Sequence, residues 1–188
     1  MTLYLALGIL LLFILISEKY LRSSGEAKHF RVDGKWQINT FLYFSLVFAG
    51  LIFTVLFAAF KVGFIPGFAV LGWIGIGLLL FGLFLRIVAI KTLGKYHTRS
   101  IVVVPNQHII QNGVYKYLRH PGYLGTIIGG IGFALATLNW IIITYAIISL
   151  LVIFLPRIAA EEKMMIKAFG QDYKEYMKKT KRLIPFVY

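Results

Sequence analysis

The amino-acid sequence predicts an all-α integral membrane protein with about five transmembrane helices. Three observations carry the prediction. Of 188 residues, 59% are apolar or aromatic and 14% are charged, whereas soluble domains average about 45–50% and about 25%. The charged residues are gathered between long uncharged runs, each close to the roughly 20 residues that a bilayer-crossing helix needs. The charges are mostly basic, with 20 Lys and Arg against 7 Asp and Glu and a formal net charge of +13, which is the signature of basic loops between spans. The same figures exclude a disordered chain. Because the basic residues lie between apolar runs, no nucleic-acid partner is expected.

The first span is expected within residues 2–20, which contain an uncharged stretch from Thr2 to Ser17. A signal peptide would need a basic leader and small residues before a cleavage site. Neither is present, so the span is expected to be retained. Residues 18–37 are polar. The second span is expected over Ile38–Phe60, and the third over Phe64–Ile90. Gly67, Gly72, Gly75, Gly77 and Gly82 in the third span suit close helix approach. Arg86 near its end reads as an anchor that snorkels to the interface. Residues 91–120 are polar again. The apolar stretch Tyr123–Leu155 is too long for one span and fits a tight helical hairpin, with spans near 121–137 and 140–155 and a turn at Thr137-Leu138-Asn139-Trp140. Pro156 marks a boundary. Beyond it, Ile158, Met165, Phe169, Tyr173 and Tyr176 recur at helical intervals, so the tail forms an amphipathic helix interrupted at Gly170. That tail is expected to lie on the membrane surface or to fold back on the polar loop.

Charge bias tests the count. Five basic residues fall in 18–37, five in 91–122 and eight in 157–188. Five spans with the N-terminus outside bring all of these to one side and leave Lys61 on the other. That places both large polar segments and the C-terminus in the cytosol. A site built from 91–123 and 157–185 would then flank the hairpin at the cytosolic face.

The candidate chemistry is narrow. The absence of Cys removes thiolate ligands and nucleophiles. The four histidines form no H-x-x-x-H pair, so no metal is expected. Nucleotide-binding loops, the nucleophile elbow and the soluble dinucleotide-binding unit are all missing. What remains is Arg119-His120-Pro121-Gly122-Tyr123, with Pro121 suited to a first helical turn whose free amides favour an anionic group. Arg157, Glu161 and Glu162 follow the last apolar run. Arg157 and Glu161, four apart, either pair with each other or face ligands of opposite charge.

These residues carry a resemblance. Gly113-Val114-Tyr115, Arg119-His120-Pro121-Gly122-Tyr123, Asn139-Trp140, Glu161-Glu162, Phe169-Gly170-x-x-Tyr173-x-x-Tyr176 and Ile184-Pro185-Phe186 follow one another as in the isoprenylcysteine carboxyl methyltransferase family, and the sequence is also similar to related bacterial membrane and phospholipid methyltransferases. The likeness covers roughly residues 91–188. It implies two units: a three-span membrane region over 1–90, and a methyltransferase core over 91–188 made of a cofactor loop, the hairpin and the C-terminal helix. The implied methyl donor is S-adenosyl-L-methionine. The positions that match cofactor contacts are Gln107, His108, Ile109, Ile110, Tyr115, His120, Pro121, Gly122, Tyr123 and Glu161, while Arg157 matches a substrate-side Arg. Arg119 and Glu162 are the candidate catalytic side chains: Arg119 to hold a carboxylate by paired hydrogen bonds, and Glu162, or His120, to take a proton should the acceptor carry one.

The function expected from the resemblance is methyl transfer to a lipophilic acceptor, either a prenylcysteine carboxylate or another lipid carboxyl, hydroxyl or amine. The partners are that acceptor, free or on a prenylated chain, and the lipid bilayer. Two alternatives stand beside it: an NADPH-dependent sterol-type reductase, which shares the Arg-His-Pro-x-Tyr ending, and a non-catalytic transporter or assembly protein. The compact, Cys-free chain favours a bacterial or archaeal plasma membrane over the endoplasmic reticulum.

Overall fold

The structure is a computed structural model that describes residues 34–98 and 106–183, with positions 8, 9 and 103. Apart from Gly8 and Ile9, which are helical, the expected first span lies outside the described residues, as does most of the polar segment after it. Four helices follow in order: α1 (Gly34–Phe60), α2 (Ala69–Leu93), α3 (Pro121–Ala136) and α4 (Trp140–Lys179). Short 3-10 turns occupy Gly94–Tyr96 and Gly113–Lys116. Among the described residues there are no strands, only isolated bridges joining Phe64 to Asn139 and Leu118 to Lys181. Residues 69–96 and 140–179 each contain a stretch long and apolar enough to cross a membrane, while Phe48–Phe60 and α3 are apolar but shorter.

The expected third span begins too early. Lys61, Gly63 and Gly67 take positive φ around Pro66, a run that no helix sustains, so Phe64–Phe68 is loop and α2 starts at Ala69. Pro156 also behaves differently from its expected role as a boundary, because α4 runs straight through it. Proline in a membrane-type helix is tolerated where neighbours satisfy the freed carbonyl. The real break is Gly170, at φ 56° and ψ −121°, a left-handed conformation that glycine adopts without a Cβ clash. The hairpin's second arm and the start of the tail are therefore one rod.

The seam between α2 and α3 is made of glycine. A Cβ on Gly82 would sit 2.5 Å from the Gly125 carbonyl, and one on Gly75 would sit 2.6 Å from that of Gly132. Backbones this close gain packing where lipid provides no hydrophobic drive. Gly67 and Gly77 face open space. Leu79, Ala134 and Ala136 are buried along the seam. Arg86 does not snorkel: its Nη1 crosses the seam and donates to Thr126 Oγ1 at 2.6 Å and to the Gly122 carbonyl at 3.4 Å. Gly125, whose Cβ would meet Arg86 Cβ at 3.1 Å, leaves the space for this path, and hydrogen bonding offsets the cost of holding the charge there.

α1 rests on α4. Tyr145 donates to the Leu46 carbonyl at 2.6 Å and meets Phe53 edge-on. At one end of the bundle the 61–68 loop pairs with the hairpin turn, through Ile65 N–H to Leu138 O at 2.8 Å and Trp140 N–H to Gly63 O at 3.1 Å. Buried Asn139 joins the two: its Oδ1 caps α4 at Ile141 and Ile142, and its Nδ2 donates to Val62 O at 2.6 Å. The polar site lies at the other end. Phe48, Phe60, Val70, Phe81 and Phe84 are exposed on the flanks, a larger apolar surface than a soluble monomer presents.

Candidate active site

The chain returns to α3 after Gly170. Tyr173 and Tyr176 turn inward and are buried, while Lys174, Lys178 and Lys179 face out. Tyr176 donates to the Tyr115 carbonyl at 2.7 Å. Beyond α4 the chain runs alongside 117–120: Lys181 N–H donates to Tyr117 O at 3.0 Å, Arg119 N–H to Lys181 O at 2.8 Å, and His120 N–H to Arg182 O at 3.2 Å. Leu183 then enters a cluster with Phe154 and Ile158. Of the two expected courses for the tail, folding back on the polar loop is the one observed.

Glu161 and Glu162 are neighbours on α4 and, about 100° apart around a helix of 3.6 residues per turn, serve different partners. Glu162 is buried. Arg119 Nε donates to one of its oxygens at 2.8 Å and Arg182 Nη2 to the other at 2.7 Å. Burial pushes this carboxyl up; His120, Arg182 and Arg119 more than offset that and hold it at about 2. Arg119 Nη1 also donates to the Met177 carbonyl at 3.0 Å and, more closely, to that of Thr180. It thus satisfies carbonyls that the last turn of α4 would leave bare. The guanidinium expected to meet a ligand carboxylate is a tie between α4, its C-terminus and the start of α3.

Glu161 is half-buried and faces the other way. Tyr123 Oη donates to its Oε2 at 2.6 Å, and Arg157 Nε donates to Tyr123 Oη at 2.9 Å. The expected Arg157–Glu161 relationship is therefore mediated by a phenol from α3. The His120 ring stacks on Tyr123 with centroids 5.6 Å apart. His120 is buried, and its Nε2 has no hydrogen-bond partner, lying 3.4 Å from Glu162 Oε1 but out of alignment. Pro121 opens α3, and His120 provides no side-chain cap. Gly122 sits against Ala89, where a Cβ would make an ordinary 3.7 Å contact. Tyr115 is buried, and burial, followed by the negative charge of Glu161, raises its phenol.

Residues 107–110 are held elsewhere. The Tyr96 hydroxyl meets His108 Nδ1 at 3.1 Å and donates to the Asn106 carbonyl at 3.1 Å, and the Tyr96 and His108 rings meet edge-on. His108 is exposed, while Gln107, Ile109 and Ile110 are half-buried. This stretch is fixed to the turn after α2. Arg182, Thr180 and Arg86 also belong to the polar end, and the sequence does not single them out. Arg182 reads as loop charge, and no local pattern marks it as the partner of a buried acid 20 residues away. Among the described residues no group of three His, Cys, Asp or Glu side chains converges as a metal site would.

The fold and this polar end define a helical membrane protein whose site is assembled from the start of α3, the middle of α4 and the segment that returns after it. A sequence model of the isoprenylcysteine carboxyl methyltransferase (ICMT) family matches residues 73–167. The chain is 32% identical over 117 residues to a probable protein-S-isoprenylcysteine O-methyltransferase from Oryza sativa subsp. indica, covering 61% of each chain. It is 32% identical over 133 residues to protein-S-isoprenylcysteine O-methyltransferase B of Arabidopsis thaliana, covering 68% of this chain and 67% of the relative. In the solved structures it is similar to a eukaryotic intramembrane Ras methyltransferase, ICMT, with a TM-score of 0.63 and 26% identity, over 89% of this chain and 59% of that one. The chain belongs to the isoprenylcysteine carboxyl methyltransferase family. It spans about three fifths of the length of the rice relative and of the solved structure. The reductase and transporter readings gain no support from these relatives. All of those named are eukaryotic, so they lend none to a bacterial or archaeal membrane either.

Proposed function

We propose that this chain is an S-adenosyl-L-methionine-dependent methyltransferase that acts at the membrane on a lipophilic acceptor, foremost a prenylcysteine carboxylate. The observation that carries the reading, beside family membership, is the Arg157–Tyr123–Glu161 chain. It places a cation and an anion on either side of one phenol. Five spans, an outside N-terminus and a cytosolic site remain the arrangement that the charge distribution favours. The division at residue 90 is one of role, since the α2–α3 glycine seam joins the two parts.

The donor fits the residues present. Glu161 suits its positive charge, and His120 Nε2 is a buried polar atom that makes no hydrogen bond, although it lies 3.4 Å from Glu162. His120, Pro121, Gly122, Tyr123, Tyr115 and Glu161 would hold it, while 107–110, held against Tyr96, are candidates through the resemblance alone. When bound, S-adenosylmethionine supplies a methyl group on a sulfonium, which needs alignment rather than activation.

The protein's own part is placement. Arg157 holds an anionic acceptor group, and Tyr123 fixes the angle of Arg157. Glu162, tied by Arg119 and Arg182, clamps the C-terminal segment over the start of α3. Arg119 and Glu162 are thus positioning residues. A carboxylate acceptor carries no proton to remove, so the site needs no general base. The test is methyl transfer from labelled donor to an S-farnesyl cysteine derivative with a free carboxylate. Base-labile methyl ester is the expected product; no incorporation into this or any lipid acceptor would refute the reading.

A further inference from the structure

The end of the bundle that carries the site also carries a collar of lysines that methyl transfer does not use. Lys95 lies in the turn after α2, Lys116 follows Tyr115, and Lys178, Lys179 and Lys181 lie at the end of the returning segment. All five are exposed, and among the described residues none is in an ion pair. Of the nearby acids, Glu162 is paired with Arg119 and Arg182, and Glu161 accepts a hydrogen bond from Tyr123 inside the site. Exposed Glu175 lies three and four residues before Lys178 and Lys179 on the same helix, a neighbour on its surface but in no ion pair with them, and exposed Asp172 lies nearer Gly170.

The depth of this collar is set by pairing. Lys181 bridges to Leu118, three residues before α3 begins. Two residues further on, Leu183 joins Phe154 and Ile158 in a buried cluster, against which Leu124 and Ile127 of the first turns of α3 pack. Lys178–Lys181 therefore return to the level at which α3 enters its apolar run. Tyr117 at that level is exposed, with Lys116 Nζ 5.7 Å from its ring centre, an aromatic–basic pairing typical of the membrane interface. On α4, beside Phe154, Leu151, Val152 and Leu155 are exposed. Among the described residues, the opposite end, formed by the 61–68 loop and the hairpin turn, offers Lys61 alone.

We propose that this lysine collar is a docking surface for anionic phospholipid headgroups, confined to the leaflet next to the site. A basic side chain near an anionic leaflet contributes roughly a fivefold preference, and the effect fades with salt. A soluble polyanion fits less well, because the collar's immediate neighbour is the apolar flank of the helices.

The test uses the full chain in neutral detergent, with mixed micelles holding equal phosphatidylglycerol and phosphatidylcholine. Native mass spectrometry counts each retained lipid. Wild type is expected to retain phosphatidylglycerol over phosphatidylcholine by about tenfold or more, less so in high salt. Combined Lys116→Gln, Lys178→Gln, Lys179→Gln and Lys181→Gln should bring the ratio near parity, and the same four changed to Arg should preserve it. The Arg variant and the salt series read the charge effect in folded protein even if the Gln variant folds poorly. Equal retention by wild type, or an unchanged ratio in the Gln variant with its fold intact, overturns the proposal. So does heparin binding that displaces the lipid, which would mark a surface for soluble polyanions. None of these outcomes depends on methyl transfer.

Discussion

Tyr123 of α3 donates its phenolic hydrogen to Glu161 of α4 across 2.6 Å, and the same oxygen accepts from Arg157 at 2.9 Å. One hydroxyl therefore links two helices and separates two opposite charges one helical turn apart. Tyr123→Phe keeps the stacking on His120 and the contact with Phe154 but leaves Arg157 and Glu161 facing each other directly. Under the proposed function, the acceptor KM should rise about tenfold, with a smaller effect on donor binding. Hydrogen bonds to charged groups contribute about 1.5–3 kcal/mol each, so stability should fall measurably in a detergent melt. Steady-state kinetics with each substrate varied in turn checks the split.

Glu162 makes the fold of the tail acid-sensitive. Its carboxyl is held at about 2 in the folded state against an ordinary value of 4.5. A depressed value contributes stability that is complete above the ordinary value and is lost as pH falls from about 4.5 through about 2. Limited proteolysis should therefore release the segment after Gly170 progressively over that window. Glu162→Gln should flatten the dependence.

Arg119 and Arg182 are unequal partners of that acid. Arg119 is nearly enclosed and also binds the α4 terminus, whereas Arg182 is about a third exposed on its side chain. Removing one partner of a buried pair costs about 3–5 kcal/mol. Arg119→Ala should thus unfold the returning segment, while Arg182→Ala should cost distinctly less. Thermal melts of the two variants give the comparison.

The glycines make opposite predictions at two positions. Gly82→Ala forces a Cβ to 2.5 Å from the Gly125 carbonyl, while Gly122→Ala adds one at 3.7 Å from Ala89. Overpacking costs about 1–3 kcal/mol, and here the obstacle is backbone. Gly82→Ala should lower the melting temperature by several degrees, whereas Gly122→Ala should leave it nearly unchanged.

Much of this was legible in the sequence, for identifiable reasons. Apolar runs revealed α1, α2 and both hairpin arms because lipid demands long uncharged stretches. The Asn139 turn and the Gly170 break showed because cap and left-handed chemistry are local. Pro156 misled because its penalty is set by its surroundings. Arg86 misled because its path depends on a glycine and a threonine of another helix, about 40 residues on. Within the candidate site, residue types pointed to side chains that the fold gathers around Tyr123 and Glu162. The contacts of Arg119 were not legible because its partners, namely Glu162, Met177 and Thr180, come together only after the tail has folded back. Arg182 stayed hidden among other tail charges for the same reason.

His120, Tyr123 and Glu161 are the side chains proposed to hold the methyl donor. The most direct measurement is calorimetric titration of the detergent-purified protein with S-adenosylmethionine and S-adenosylhomocysteine, with NADPH as comparison and with His120→Ala, its fold checked by circular dichroism, alongside. Saturable binding of both adenosyl ligands, no binding of NADPH, and loss of binding in the folded variant are the predicted results. Binding of NADPH alone, or adenosyl binding undiminished in His120→Ala, would contradict the account.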